Sequence, residues 1–93
     1  MIRSFANKET ECIWEGLLSR RLPQEVQDVG LRKLRILNRV CSVEELRIPP
    51  DNRLERLVGN RKGQWSIRIN AKWRICFKWE NGEAHHVEIA DYH

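Results

Sequence analysis

The run from Ile48 to Asn52, IPPDN, divides the chain into two parts with different hydrophobic periods. Two consecutive prolines lock two φ angles and remove two backbone donors, so neither a helix nor a central strand passes through them. Upstream the period is helical. Ile13, Trp14, Leu17 and Leu18 recur at i, i+1, i+4, i+5 and predict the core-facing side of a helix over 8–19. Pro23 and Glu25 mark the first turn of a second helix over 24–40, with Val26, Leu34 and Leu37 inward and Asp28, Arg32, Arg35 and Arg39 as a polar stripe. Ser42 followed by Glu45 has the spacing of a capping box and predicts a short third helix that the prolines stop.

Downstream the pattern alternates. Trp65, Ile67 and Ile69 share one side of a strand, and Trp73, Ile75, Phe77 and Trp79 share one side of the next. Asn81-Gly82 predicts a two-residue hairpin turn into a last strand that carries Val87 and Ile89 inward. Leu54 to Val58 reads as a less regular strand, joined to Trp65 through GNRKG, whose glycines allow positive φ. Ile2 to Phe5 alternates as a short N-terminal strand would. The expectation is an α+β fold, a mainly antiparallel sheet built from the N-terminal strand and a C-terminal four-strand meander, with two or three helices covering its apolar side.

At 93 residues, 41% hydrophobic and 32% charged, the chain has the composition of one ordinary globule, expected as a single domain over 1–93. That length excludes a multidomain enzyme. No apolar run reaches the roughly 18 residues of a membrane span and no signal-peptide core is present, so a cytoplasmic protein is expected. The three cysteines, Cys12, Cys41 and Cys76, have neither disulfide-framework nor zinc-ligand spacing and predict reduced, mostly buried thiols. The net charge of +4 is unevenly spread. Residues 47–78 hold nine basic and two acidic residues, a local +7, whereas the rest holds eight and eleven, or −3. A polyanionic partner fits the basic stretch.

If the odd-numbered side of the meander meets the helices, the even-numbered side shows Ser66, Arg68, Arg74, Lys78, His86, Glu88 and Tyr92 to solvent. Antiparallel sheets commonly keep one wet, polar face, so each residue alone is unremarkable. Together, guanidinium forks for phosphates and aromatic rings for bases make the equipment of an RNA surface. The terminus Asp91-Tyr92-His93 adds a carboxylate, a phenol and an imidazole. Metal-free RNA cleavage needs a base for the 2′-OH proton, an acid for the leaving 5′-oxygen and cations for the phosphorane charge; the tail and the arginines have the groups for all three, and the plain alternative is a frayed terminus. His85 and His86 lack a partner at ligand spacing and read as exposed histidines near the hairpin.

The elements L-x-G-x-x-x-G-x-W-S-I over 57–67, W-R-I-x-F over 73–77 and the terminal D-Y-H, together with the opening MIRSF, resemble the HigB branch of the RelE superfamily of bacterial toxins over nearly the whole chain. The resemblance implies a compact RelE-like fold and a toxin that cuts mRNA on the ribosome without metal or cofactor. It also implies neutralisation by a helix-turn-helix antitoxin of the HigA type, through which alone operator DNA would be reached. Matched residue by residue, Arg74 corresponds to the family's arginine at the scissile phosphate, and Asp91, Tyr92 and His93 to its catalytic tail; Arg68 is placed by its shared face. Where some relatives carry a histidine and a lysine, this chain has Glu55 and Val58. Glu55 is then a candidate base, and Arg53, Arg56 and Arg61 are candidates for the missing cation, with Lys62 and Arg68 as further RNA contacts. Two other classes remain open: a noncatalytic inhibitor on the same fold, of the gyrase-blocking type, and a plain RNA- or ribosome-binding module.

Overall fold

Helix α1, Lys8–Trp14, starts where the Asn7 side chain caps the Thr10 N–H and ends at Gly16, whose φ of +82° no other residue type adopts as cheaply. The Gly16 N–H bonds the Ile13 carbonyl at 3.0 Å and the Leu17 N–H bonds the Cys12 carbonyl at 2.9 Å, the paired closure of a Schellman ending. The helix therefore stops short of residue 19. Leu17 and Leu18, expected in the core, lie outside it at 57% and 79% exposure. Residues 1–91 are described by the computed structural model.

Helix α2, Gln24–Arg39, follows its expected course and buries Val26, Leu34 and Leu37. Between the helices, Gln27 holds the connecting loop, donating to the Ser19 and Leu22 carbonyls at 2.7 Å each and accepting the Ser19 N–H at 2.9 Å. The Ser42–Glu45 capping box forms, but the segment it opens, Val43–Arg47, is a 3-10 helix, as is Pro50–Asn52. Prolines three and four residues beyond Leu46 leave too little chain for full α-helical turns.

The sheet has four antiparallel strands in sequential order: β1 Glu55–Arg56, β2 Trp65–Arg68, β3 Trp73–Glu80 and β4 Glu83–Asp91. Asn81 and Gly82, with φ of +53° and +76°, make the tight β3–β4 turn. The N-terminal segment runs parallel to β4, but as isolated bridges, Ile2 to Ala84 and Phe5 to Val87, instead of a continuous strand. A bulge explains both this and a change of side within β4. The register jumps between Cys76 opposite Glu88 and Lys78 opposite His85, so two residues of β4 face Phe77. His86 takes a φ of +54° there, and its N–H bonds the Ser4 hydroxyl at 2.9 Å. Before the bulge the inward residue is Ala84, fully buried; after it the inward residues are Val87 and Ile89. His86 therefore leaves the even-side face to which strict alternation assigned it.

The main core lies between the helices and the odd side of β2–β4, with Ile13, Val26, Leu34, Leu37, Leu46, Ile67, Ile75, Phe77 and Val87 nearly or wholly buried. All four tryptophans pack on its margin, half-buried. One polar chain crosses it: the Thr10 hydroxyl donates to Asn7 Oδ1 at 2.7 Å and its oxygen accepts the Ile89 N–H at 3.0 Å, tying α1 to β4. Of the cysteines only Cys76 is buried; Cys12 is half-buried and Cys41 exposed, against the expectation of mostly buried thiols.

Candidate active site

The even side of the sheet is not the open polar face that alternation predicts. Ser66 and Cys76 are fully buried, and Cys76 joins Leu57 and Ala90 in a second small apolar cluster. Residues 57–64 fold over this side, where Gly59 and Gly63 adopt φ of +67° and +93° that let the chain turn back. Register aligns Glu55, Ser66, Cys76 and Glu88 across the four strands, and Arg68, Arg74 and Ala90 across the next row. The charges acting on Cys76 are Arg61, Glu88, Arg74 and Glu55, so two cations and two carboxylates surround an apolar floor. Burial, above all, pushes the Cys76 thiol upward from its ordinary 9.0.

Arg74 is the most constrained of these charges, its side chain 12% exposed. Nε donates to the Ser66 hydroxyl at 2.7 Å, Nη2 donates to the Arg53 carbonyl at 2.7 Å, and the Glu55 carboxylate lies 3.9 Å from Nη2. Arg53 presents that carbonyl from a left-handed conformation, φ +45°, uncommon for a residue with a β-carbon. Of five guanidinium donors, two are committed, and Nη1 takes no acceptor among the described residues. The result is a cation fixed in direction with one edge left for an anion.

Arg61 reaches Glu88 at 3.1 Å and Gln64 at 3.3 Å, pinning the 57–64 segment to β4. Lys62 is exposed in the same segment, and Arg68 neighbours Arg74 in register. Arg56 stands apart from the others: opposite Trp65, it lies over that ring at 5.1 Å, on the other side of β1 from Glu55. Asp91 pairs in register with Trp73, also on the odd side, where Lys72 Nζ approaches its carboxylate at 3.4 Å. Tyr92 and His93 lie outside the described residues. Of the expected site residues, then, Arg74, Glu55, Arg61, Arg68 and the Arg53 backbone come together, while Arg56 and Asp91 do not share that side.

Sequence reasoning missed the buried Ser66 hydroxyl as the holder of Arg74, and the Arg53 carbonyl. A serine between tryptophan and isoleucine in a strand carried the signal for the first, because a hydroxyl buried at that density needs a partner. Nothing in the sequence signals the second.

Arg74 and Glu55 together offer a phosphate-binding cation beside a proton acceptor, the pair that transfer at a phosphodiester requires. No group of three or more His, Cys, Asp or Glu among the described residues is arranged to hold a metal ion. Comparison with known proteins gives this geometry a family. A model of HigB-like toxins, described as RelE-like toxins of type II toxin–antitoxin systems, matches residues 3–93. Toxin HigB-1 of Vibrio cholerae serotype O1 is 41% identical over 85 residues, 90% of either chain. Endoribonuclease HigB of Proteus vulgaris is 32% identical over 93 residues, the full length of both. Among solved structures, the YoeB-YefM complex from Staphylococcus aureus superposes with a TM-score of 0.62 across 100% of this chain and 98% of that one, at 14% identity, a likeness of fold. The chain belongs to the HigB-like family of toxins from type II toxin–antitoxin systems.

Proposed function

We propose that this toxin is an endoribonuclease acting on ribosome-bound mRNA in the cytoplasm, as one domain spanning residues 1–93, and that a helix-turn-helix antitoxin of the HigA type neutralises it. The observation that carries the reading is the three-point fixation of Arg74 by Ser66, Arg53 and Glu55, in a chain whose Proteus vulgaris relative is named an endoribonuclease. In this reading the free edge of Arg74 grips the scissile phosphate and stabilises the charge of the phosphorane, and Arg68 holds a neighbouring phosphate. His93 exchanges the proton, since imidazole with a pKa near 6.5 serves as acid or base at cellular pH. Tyr92 orients or stacks on a base, and Asp91, paired with Lys72, anchors the tail. Glu55, beside Arg74, is the alternative base.

Purified toxin incubated with programmed ribosomes tests this, with cleavage mapped by primer extension. His93→Ala should abolish cutting while circular dichroism stays native. Wild-type cutting by His93→Ala would move the base to Glu55, and absence of cutting by the wild-type protein would overturn the reading.

A further inference from the structure

Beside Arg74, on the flank where α2 approaches the end of β2, the surface opens into a concavity of about 260 Å³ lined by Arg32, Lys33, Asp51 and Arg68 with Val29 and Ile69. It exists because β1 is only two residues long: Arg68 extends past it, and the Pro50–Asn52 turn packs there in its place. Lysine is almost never buried without a partner, yet Lys33 is 8% exposed in the middle of α2. Its Nζ donates to the Arg68 carbonyl, which consumes one of three N–H donors. Neither Arg32, Lys33 nor Arg68 forms an ion pair among the described residues. The charges that act on the ammonium are Arg32, Asp51, Arg68 and Arg74, three cations against one carboxylate, so burial and like charge together hold the Lys33 ammonium below its ordinary 10.5. Such a cluster gathers unfavourable charge that the fold itself does not neutralise.

We infer that this concavity is a phosphate subsite of the RNA strand, separate from the Arg74 position, with Lys33, Arg32 and Arg68 receiving the phosphate next to the one held by Arg74. The inference rests on the nuclease reading for the identity of the strand, but not for the chemistry of the pocket. A fork-shaped guanidinium pair with a fixed ammonium suits a phosphate's several oxygens, and the volume, just under that of a drug-sized site, suits one sugar-phosphate unit. Continuity also favours RNA over an acidic protein segment, because Arg68 is the cross-strand neighbour of Arg74 and links the two positions. Lys33 sits on no motif of the sequence; only folding brings it to Arg68.

The test measures binding of a short single-stranded RNA, 2′-O-methylated throughout so that it is not cut, by fluorescence anisotropy against salt. Arg32→Gln and Lys33→Gln should each weaken binding about tenfold and lower the slope of log K against log salt by about 0.7, the share of one phosphate on a single strand. Asp51→Asn should tighten binding about threefold by removing the one carboxylate in the pocket, a gain that a damaged fold does not produce. Unchanged affinity and slope in Arg32→Gln and Asp51→Asn would overturn the subsite. So would a pattern in which Arg32→Gln leaves RNA binding intact and weakens only the purified antitoxin, which would make the pocket a protein contact. Cleavage of ribosome-bound mRNA, measured alongside, separates the two claims: a wild-type protein that cuts nothing while the variants still shift RNA binding retains the subsite and loses the nuclease.

Discussion

Arg74 shows how much of a site can be legible in one residue and how much cannot. Its even-side position followed from alternation, and the role proposed for it rests on the W-R-I-x-F resemblance. Its rigidity did not, because it comes from a carbonyl at Arg53, 21 residues away, and from a hydroxyl that alternation assigned to solvent. Ser66→Ala should therefore cost activity without costing the fold: the protein stays folded by circular dichroism, while cleavage of ribosome-bound mRNA falls about tenfold through loss of orientation at Arg74. Arg74→Lys should fail nearly as badly as Arg74→Ala, since a single ammonium nitrogen lacks the planar fork that reaches the Ser66 hydroxyl and the Arg53 carbonyl from two separate nitrogens and leaves a third for phosphate. The cysteines give a second test at this scale. Exposed Cys41 should alkylate first with iodoacetamide, and Cys76, buried and with its thiol pushed above 9.0, should stay unmodified in the folded protein even at pH 9. Peptide mass spectrometry reads the order directly.

The elements divide by what sets their ends. Helix α2, the Ser42 capping box and the Asn81-Gly82 turn were legible because their signals are local, a proline at the start, a side-chain cap, or two residues that tolerate positive φ. The length of α1 was misread because Leu17 and Leu18 continue the apolar period past Gly16, and in the structure the glycine's left-handed turn overrides the period. His86 was misplaced for the same kind of reason: a bulge inserts a residue without changing composition, and every parity argument upstream of it inverts. The link between α1 and β4 depends on one buried hydroxyl. Thr10→Val should destabilise the protein by about 1–3 kcal/mol, because the Ile89 N–H then loses its acceptor in the core, whereas Thr10→Ser keeps the bond and costs less. Urea denaturation of the two variants measures the difference.

For the whole molecule, the uneven charge proved more informative than its net value. The basic excess of residues 47–78 is split by the sheet: Arg68 and Arg74 are cross-strand neighbours on the even side, and Arg56 covers Trp65 on the other. If RNA lies along the even side, Arg68→Gln should flatten the salt dependence of ribosome binding by about 0.7 in log–log slope, and Arg56→Gln should leave it unchanged. Equal slopes for both would mean that the strand does not follow that side. Helix α1 and the apolar sheet side are scaffold, while α2 also brings Arg32 and Lys33 to the edge of the sheet face that residues 57–64 cover, a segment held by two glycines and the Arg61–Glu88 pair.

Single-turnover cleavage of programmed ribosomes by the wild-type protein and by Arg74→Ala tests most directly whether the fixed arginine on this sheet stabilises the cutting of ribosome-bound RNA. Removing one preorganised donor from a developing negative charge commonly lowers the rate by about 10²–10³-fold, and Arg74→Ala should lose at least that much while binding ribosomes and remaining folded. Cleavage by Arg74→Ala at the wild-type rate would leave Arg74 with no part in the reaction.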